Sequence, residues 1–203
     1  MRPTAWPAGC RGHATAATPG RPATAAASRG LSSYHIGRAF EERAIALLTE
    51  AGLDLRPTGG AFDGGIDFRG FLGQRGDAGS VRVPVIGQCK AEARKIGARY
   101  LRDFEGVLAR EPQSIGIFVA LSGYSTHAQK HFGSSTFPLV LVRITHRIDS
   151  LQVNRAAQAL LPGLTVGVRI VPPTRWDPAA APVREPLLLV GTPGAAGGGG
   201  AGR

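Results

Sequence analysis

Residues 64–90 read GGIDFRGFLGQRGDAGSVRVPVIGQCK, and the architecture follows from the way this stretch pairs with itself. Two runs of strand character, Ile66 to Leu72 and Val81 to Lys90, are separated by Gly73-Gln74-Arg75-Gly76-Asp77-Ala78-Gly79-Ser80. A connection so rich in glycine and polar residues closes a hairpin rather than a crossover. The two strands are therefore antiparallel neighbours, and Asp67 faces residues 86 to 89. Strand alternation sends Gln88 and Lys90 to one face and Cys89 to the other.

On the N-terminal side, Ile36, Phe40, Ala44, Leu47, Leu48 and Ala51 recur at helical steps, with Ser32 or Ser33 available as a cap and Gly52 as a stop. At about 100 degrees per residue, Glu41 lies about 60 degrees from the centre of that apolar face and Glu42 nearly opposite it. Leu53 to Thr58 is a further short strand. On the C-terminal side a helix is predicted from Ala98 to Arg110, with Leu101, Phe104, Val107 and Leu108 buried and Asp103 and Glu105 as surface acids. Ser114 to Leu121 is a nearly unbroken apolar run suited to a central strand covered on both faces. Ser125 to Phe132 predicts a short helix, Phe137 to Thr145 a strand, 149–161 a helix and Leu164 to Val171 a peripheral strand. The order is that of an α/β protein: a central mixed sheet flanked by helices on both faces.

At 203 residues the chain is long enough for one domain with a hydrophobic core. The formal charge of +10 is unevenly placed: the first forty residues hold five arginines and no acid. Residues 41–203 hold the other 19 basic residues and all 14 acids, a surplus that points moderately to an anionic partner. An acid-free, Arg-, Ala-, Ser- and Thr-rich opening is the composition of a mitochondrial transit peptide, so residues 1–30 are expected to be a leader addressed to the matrix. The alternative is a disordered Ala/Pro/Gly-rich segment. Residues 34–171 form the expected domain, and 172–203 read as a Pro/Gly-rich disordered tail. No apolar run approaches the roughly 18 residues that span a bilayer. The two cysteines, Cys10 and Cys89, give neither a disulfide framework nor zinc-ligand spacing.

The polar groups of the hairpin suit one kind of chemistry. Hydrolysis of a phosphodiester asks for a cation that polarises the phosphate and ionises a water, and for a positive group facing the charge that develops. Mg2+, or Mn2+ in its place, takes oxygen ligands and keeps several waters, so one or two carboxylates plus a carbonyl suffice. Asp67 is the candidate carboxylate, Gln88 a side-chain carbonyl, Cys89 a backbone carbonyl, and Lys90 the group that positions or activates water. Glu41 is the candidate second acid. Each has a plainer reading: Asp67 as a turn cap, Lys90 as a strand-end charge, Glu41 as a solvated helix residue. His127 and His131, four apart, lack a third ligand and read as surface histidines.

Taken in order, Phe40-Glu41, Gly64-Gly65-Ile66-Asp67, Gln88-Cys89-Lys90, Phe104-Glu105-Gly106, Gly116-Ile117-Phe118-Val119 and the stretch Ser122 to Ala128 resemble the Mrr-type branch of the PD-(D/E)XK restriction-endonuclease-like superfamily. The resemblance covers roughly residues 34 to 145, and within eukaryotes is nearest to fungal mitochondrial proteins required for respiratory growth. It implies a restriction-endonuclease-like core and metal-dependent cleavage, with DNA as partner and RNA as the alternative; the sequence leaves the oligomeric state open, a homodimer among the options. Asp67 matches the superfamily's metal-binding Asp, Gln88 its usual Glu or Asp, Lys90 its Lys, and Glu41 its first-helix Glu. Gln88 is a departure that the Mrr branch often shares. The competing implication is a catalytically inactive nuclease-fold protein that binds nucleic acid and supports mitochondrial respiratory function.

Overall fold

The structure, a computed structural model, describes residues 32–58, 64–73, 82–171 and 182–190. Helix α1 (Ser33–Glu50) starts at Ser32, whose side chain accepts a hydrogen bond from the His35 N–H, and buries Phe40, Ala44 and Leu48 along one stripe. Four-residue spacing of these three side chains is what allows one helix face to seal against a sheet. Strands β1 (Asp54–Pro57), β2 (Phe68–Leu72) and β3 (Val83–Lys90) follow as an antiparallel meander. The hairpin of the sequence reading is present, with Phe68 directly opposite Gly87.

Helix α2 (Ala98–Leu108) carries the chain back so that β4 (Ile115–Ala120) runs parallel to β3. Helix α3 (Thr126–Ser134) makes a second crossover to β5 (Leu139–Ile144), parallel to β4, and β6 (Ile148–Val153) closes the sheet antiparallel to β5. The six strands lie in chain order, β1-β2-β3-β4-β5-β6. Every residue of β4 is buried, as its unbroken apolar run requires of a strand covered on both faces. Short α4 (Arg155–Leu160) and a two-stranded ribbon of β7 (Leu164–Val171) and β8 (Val183–Val190) complete the described part.

Two apolar clusters sandwich the sheet. One gathers Phe40, Ala44 and Leu48 of α1 with Phe68, Val85, Cys89, Ile117, Val142, Ala157 and the ribbon residues Leu164 and Leu188. The other gathers Leu101, Phe104 and Leu108 of α2 and Ala128 and Phe132 of α3 with Ile66, Ile86, Phe118 and Leu141. Helices therefore cover both faces of a mixed sheet, α1 and α4 on one side and α2 and α3 on the other. This is the α/β class expected from the order of elements.

Two expectations are corrected. The helix predicted over 149–161 is a strand followed by a helix: β6 takes Ile148–Val153, and α4 begins only at Arg155. The tail predicted over 172–203 contains β8, whose Leu188 is 6% exposed in the core. Residues 1–31, which hold the expected leader, and 172–181 and 191–203 of the expected tail lie outside the described residues. Among the described residues no helix is long and apolar enough to cross a membrane.

Candidate active site

The site is built where β2 begins and β3 ends. Gly64 and Gly65 enter with φ of +66° and +84°, a left-handed pair that only glycine adopts without strain. The turn delivers Ile66 to the α2 side of the sheet and Phe68 to the α1 side, so the chain departs from simple alternation between them. Asp67 donates its N–H to the Gly87 carbonyl at 2.8 Å, while Phe68 is the register partner of the same Gly87. Two residues thus address one, as at a β-bulge, and the intervening side chain is re-aimed. From the other side Thr58 donates its N–H to the Asp67 carbonyl at 3.0 Å and its hydroxyl to the Ile66 carbonyl.

So fixed, the Asp67 carboxylate reaches across the end of the ladder. Its Oδ2 accepts the Cys89 N–H at 2.6 Å, taking the place a β2 carbonyl would fill had the pairing continued. Hydrogen bonds to a charged acceptor are the strong ones, and this one holds the carboxylate in a single orientation. Because Cys89 presents its N–H toward Asp67, its carbonyl leaves the strand on that same side; the next carbonyl, of Lys90, points the other way and accepts the Leu121 N–H of the β4 end.

The remaining candidates converge on this strand end. Glu41, Asp67, Gln88 and Lys90 are all half-buried. Burial first, then the negative charges of Asp67 and Glu41, push the Cys89 thiol well above its ordinary range, and Lys90 opposes them. Those three charged groups therefore lie within electrostatic reach of one buried sulfur atom. Gln88 stands on the opposite face from Cys89, its carboxamide lying over Gly65: a Cβ at that glycine would fall 3.2 Å from the Gln88 Nε2. Among the described residues no three His, Cys, Asp or Glu side chains gather as a metal site. The donors on offer are two carboxylates, one carboxamide and backbone carbonyls. All are hard oxygen ligands, the kind Mg2+ and Mn2+ take.

Two features escaped the sequence reading. The outer edge of the Phe68 ring fills the space over Gly87, where a Cβ would fall 1.8 Å from Cζ, and this contact anchors the residue next to Asp67. A lone glycine inside a strand is the signal for such a close approach. The other is Glu105, expected on the surface but 9% exposed, and bonded to His131 Nε2 at 3.0 Å and to Ser135 Oγ at 2.5 Å. His131 is therefore a half-buried partner of α2 rather than a free surface histidine; His127 is exposed.

The chain is 30% identical over 140 residues to an uncharacterized mitochondrial protein, C824.03c, of Schizosaccharomyces pombe, across 64% of this chain and 55% of that protein. It spans about half the length of that curated relative. Among solved structures it is similar to the MspJI restriction endonuclease in complex with a 27-mer oligonucleotide, with a TM-score of 0.43 and 24% identity over 55% of this chain and 26% of that chain. Residues 35–149, more than half of the chain, match the restriction endonuclease family Mrr_cat, and the chain belongs to that family.

Proposed function

We propose that the chain is a metal-dependent DNA endonuclease of the mitochondrial matrix. The observation that carries this reading is the Asp67 carboxylate held on the Cys89 N–H at 2.6 Å, beside Lys90, Gln88 and Glu41. Asp67 and Glu41 would hold a hard divalent cation, Mg2+ or Mn2+, with the Gln88 carboxamide and the Cys89 carbonyl as neutral oxygens. Such an ion supplies a Lewis acid for a phosphate oxygen and lowers the pKa of a bound water.

The chain's own groups do the rest. Asp67 is preorganised by its hydrogen bond, so no rotamer freedom is lost when ligand arrives. The Lys90 ammonium, with three donors and no acceptor, can hold a water and face the oxygens of a phosphodiester as their charge grows. The mitochondrial placement is supported by the fission-yeast relative, a mitochondrial protein by its name, and by the arginine-rich, acid-free first forty residues. A fluorescent fusion distributed through the cytosol rather than with a matrix marker would remove it.

The full chain incubated with supercoiled plasmid and Mg2+ or Mn2+ is expected to nick it, and chelation to stop it. Asp67→Ala should abolish nicking, and Lys90→Ala should slow it by about 10²- to 10³-fold, the scale for removing one group that stabilises developing charge. Wild-type rates in both variants would sink the assignment. Gln88 favours a second reading, because a neutral amide binds a divalent cation less strongly than a carboxylate. On that reading the domain binds nucleic acid without cutting it and supports respiratory function, and the plasmid is retained in a salt-dependent complex but left intact.

A further inference from the structure

Strands β1, β2 and β3 border a cleft of about 380 Å3 lined by Arg56, Arg69, Phe71 and Arg82, with Asp54 and Glu111 at its walls and Ile86 of the α2-side cluster at its base. That volume falls within the roughly 300–1,000 Å3 typical of ligand pockets. Register explains how the arginines meet: Arg56 of β1 pairs with Arg69 of β2, and Asp54 with Phe71. Arg69 is two residues along β2 from Asp67, roughly 7 Å, and Arg56 one strand farther out, about 4.8 Å. The cleft and the candidate active site are therefore built on the same pair of strands, β2 and β3.

Its charges are partly compensated. Arg69 is held by Glu111 at 2.7 Å, and Arg82 by Asp54 at 2.7 Å. Arg56 is exposed and makes no ion pair among the described residues. The Arg82 guanidinium lies over the Phe71 ring, 4.1 Å from its centroid, and fixes a large aromatic side chain that is still 38% exposed. An aromatic ring braced at the floor of a cationic cleft presents the two things an unpaired nucleotide strand needs: a flat surface for a base and guanidinium groups for phosphates. Duplex DNA offers only the second, because its bases are already stacked on each other.

We propose that this cleft binds a single-stranded DNA segment continuous with the phosphodiester at Asp67, Arg56 and Arg69 taking phosphates and Phe71, braced by Arg82, taking a base. The purpose given to the strand rests on the nuclease reading; the binding does not. The test is fluorescence anisotropy of the full chain in EDTA, with a labelled 12-nucleotide single strand and the duplex of the same sequence. The single strand should bind more tightly than the duplex. Phe71→Ala should weaken single-strand binding about tenfold and leave the duplex unchanged. Arg56→Ala, at an exposed position, should flatten the slope of log Kd against log salt by about 0.7, the value for one phosphate contact on a single strand. Glu111→Gln should strengthen binding by freeing Arg69. Equal binding of both DNAs, or wild-type affinity and salt slope in Phe71→Ala and Arg56→Ala, overturns the cleft even if the plasmid is cut. Loss of single-strand binding in those variants, with no cutting by wild type, leaves the cleft standing and sinks the hydrolytic reading instead.

Discussion

Gly87 has no side chain because Phe68 occupies the place one would take. A Cβ there would meet the ring at 1.8 to 2.3 Å, and Phe68 is fully buried, so the ring cannot swing into solvent. Gly87→Ala should therefore cost about 1–3 kcal/mol in urea unfolding, the range for overpacking a core. It should also lower metal-dependent nicking beyond what the loss of folded protein explains, since Asp67 is bonded to Gly87 and adjacent to Phe68. Pairing it with Phe68→Leu should restore stability; a single variant as stable as wild type would mean the ring has somewhere else to go. Cys89 yields a second prediction. With its thiol pushed well above the ordinary range, chiefly by burial, the sulfur should stay protonated and resist alkylation at pH 8 in a Cys10→Ser background until the chain is unfolded. Rapid labelling of the native chain would show that the strand end opens. At this scale the sequence made Asp67, Gln88, Cys89 and Lys90 visible because hairpin pairing brings the start of β2 beside the end of β3, while the bulge-like step that re-aims Asp67 left no mark in the pattern. It did not show why Gly87 is glycine, since that depends on a partner across the ladder.

Elements are joined by buried polar groups that no periodicity reveals. Asn154, 4% exposed, caps α4 by accepting the Ala157 N–H at 2.9 Å, accepts the Leu139 N–H of β5 at 3.0 Å, and donates to the Phe137 carbonyl at 2.8 Å. One side chain thus satisfies a helix start and a strand start together. Replacing it with Ala would strand buried donors and an acceptor, each costing about 1–3 kcal/mol. Asn154→Ala should lower the urea midpoint markedly, whereas Asn154→Asp, which keeps the two acceptor contacts, should lose less; equal losses would place the stabilisation in the donated bond. This residue also explains the helix wrongly predicted over 149–161. Along β6 the buried positions are Ile148 and Leu151, followed by Asn154, a three-residue spacing that imitates a helix face. The strand arises because β5 offers a paired edge, and tertiary pairing overrides a local pattern. By contrast α1 and α2 were legible because their burial follows the helical period, and β4 and β5 because they are apolar runs of strand length.

For the whole molecule, the question is where the domain ends. The family match stops at residue 149, yet Leu164 of β7 and Leu188 of β8 are 1% and 6% exposed within the same apolar cluster as α1 and β3. The ribbon was only half legible. Leu164 to Val171 reads as a strand, but from Pro172 onward Pro and Gly dominate apart from Leu187 to Val190, so the segment that holds β8 reads as tail. Strand β8 tolerates Pro186 because it pairs with β7 alone within its sheet, leaving one side without ladder bonds. Burying two leucines is worth about 1.5–3 kcal/mol each, a large share of the roughly 5–15 kcal/mol that holds a domain folded. A chain ending at Pro162 is therefore expected to unfold at clearly lower urea than the full chain, and to self-associate through the apolar surface uncovered beside β6. Unfolding midpoints and size-exclusion profiles of the two chains decide the matter. An unchanged midpoint would show that the ribbon only decorates a core complete at α4, and Leu164→Ala in the full chain would then be silent as well.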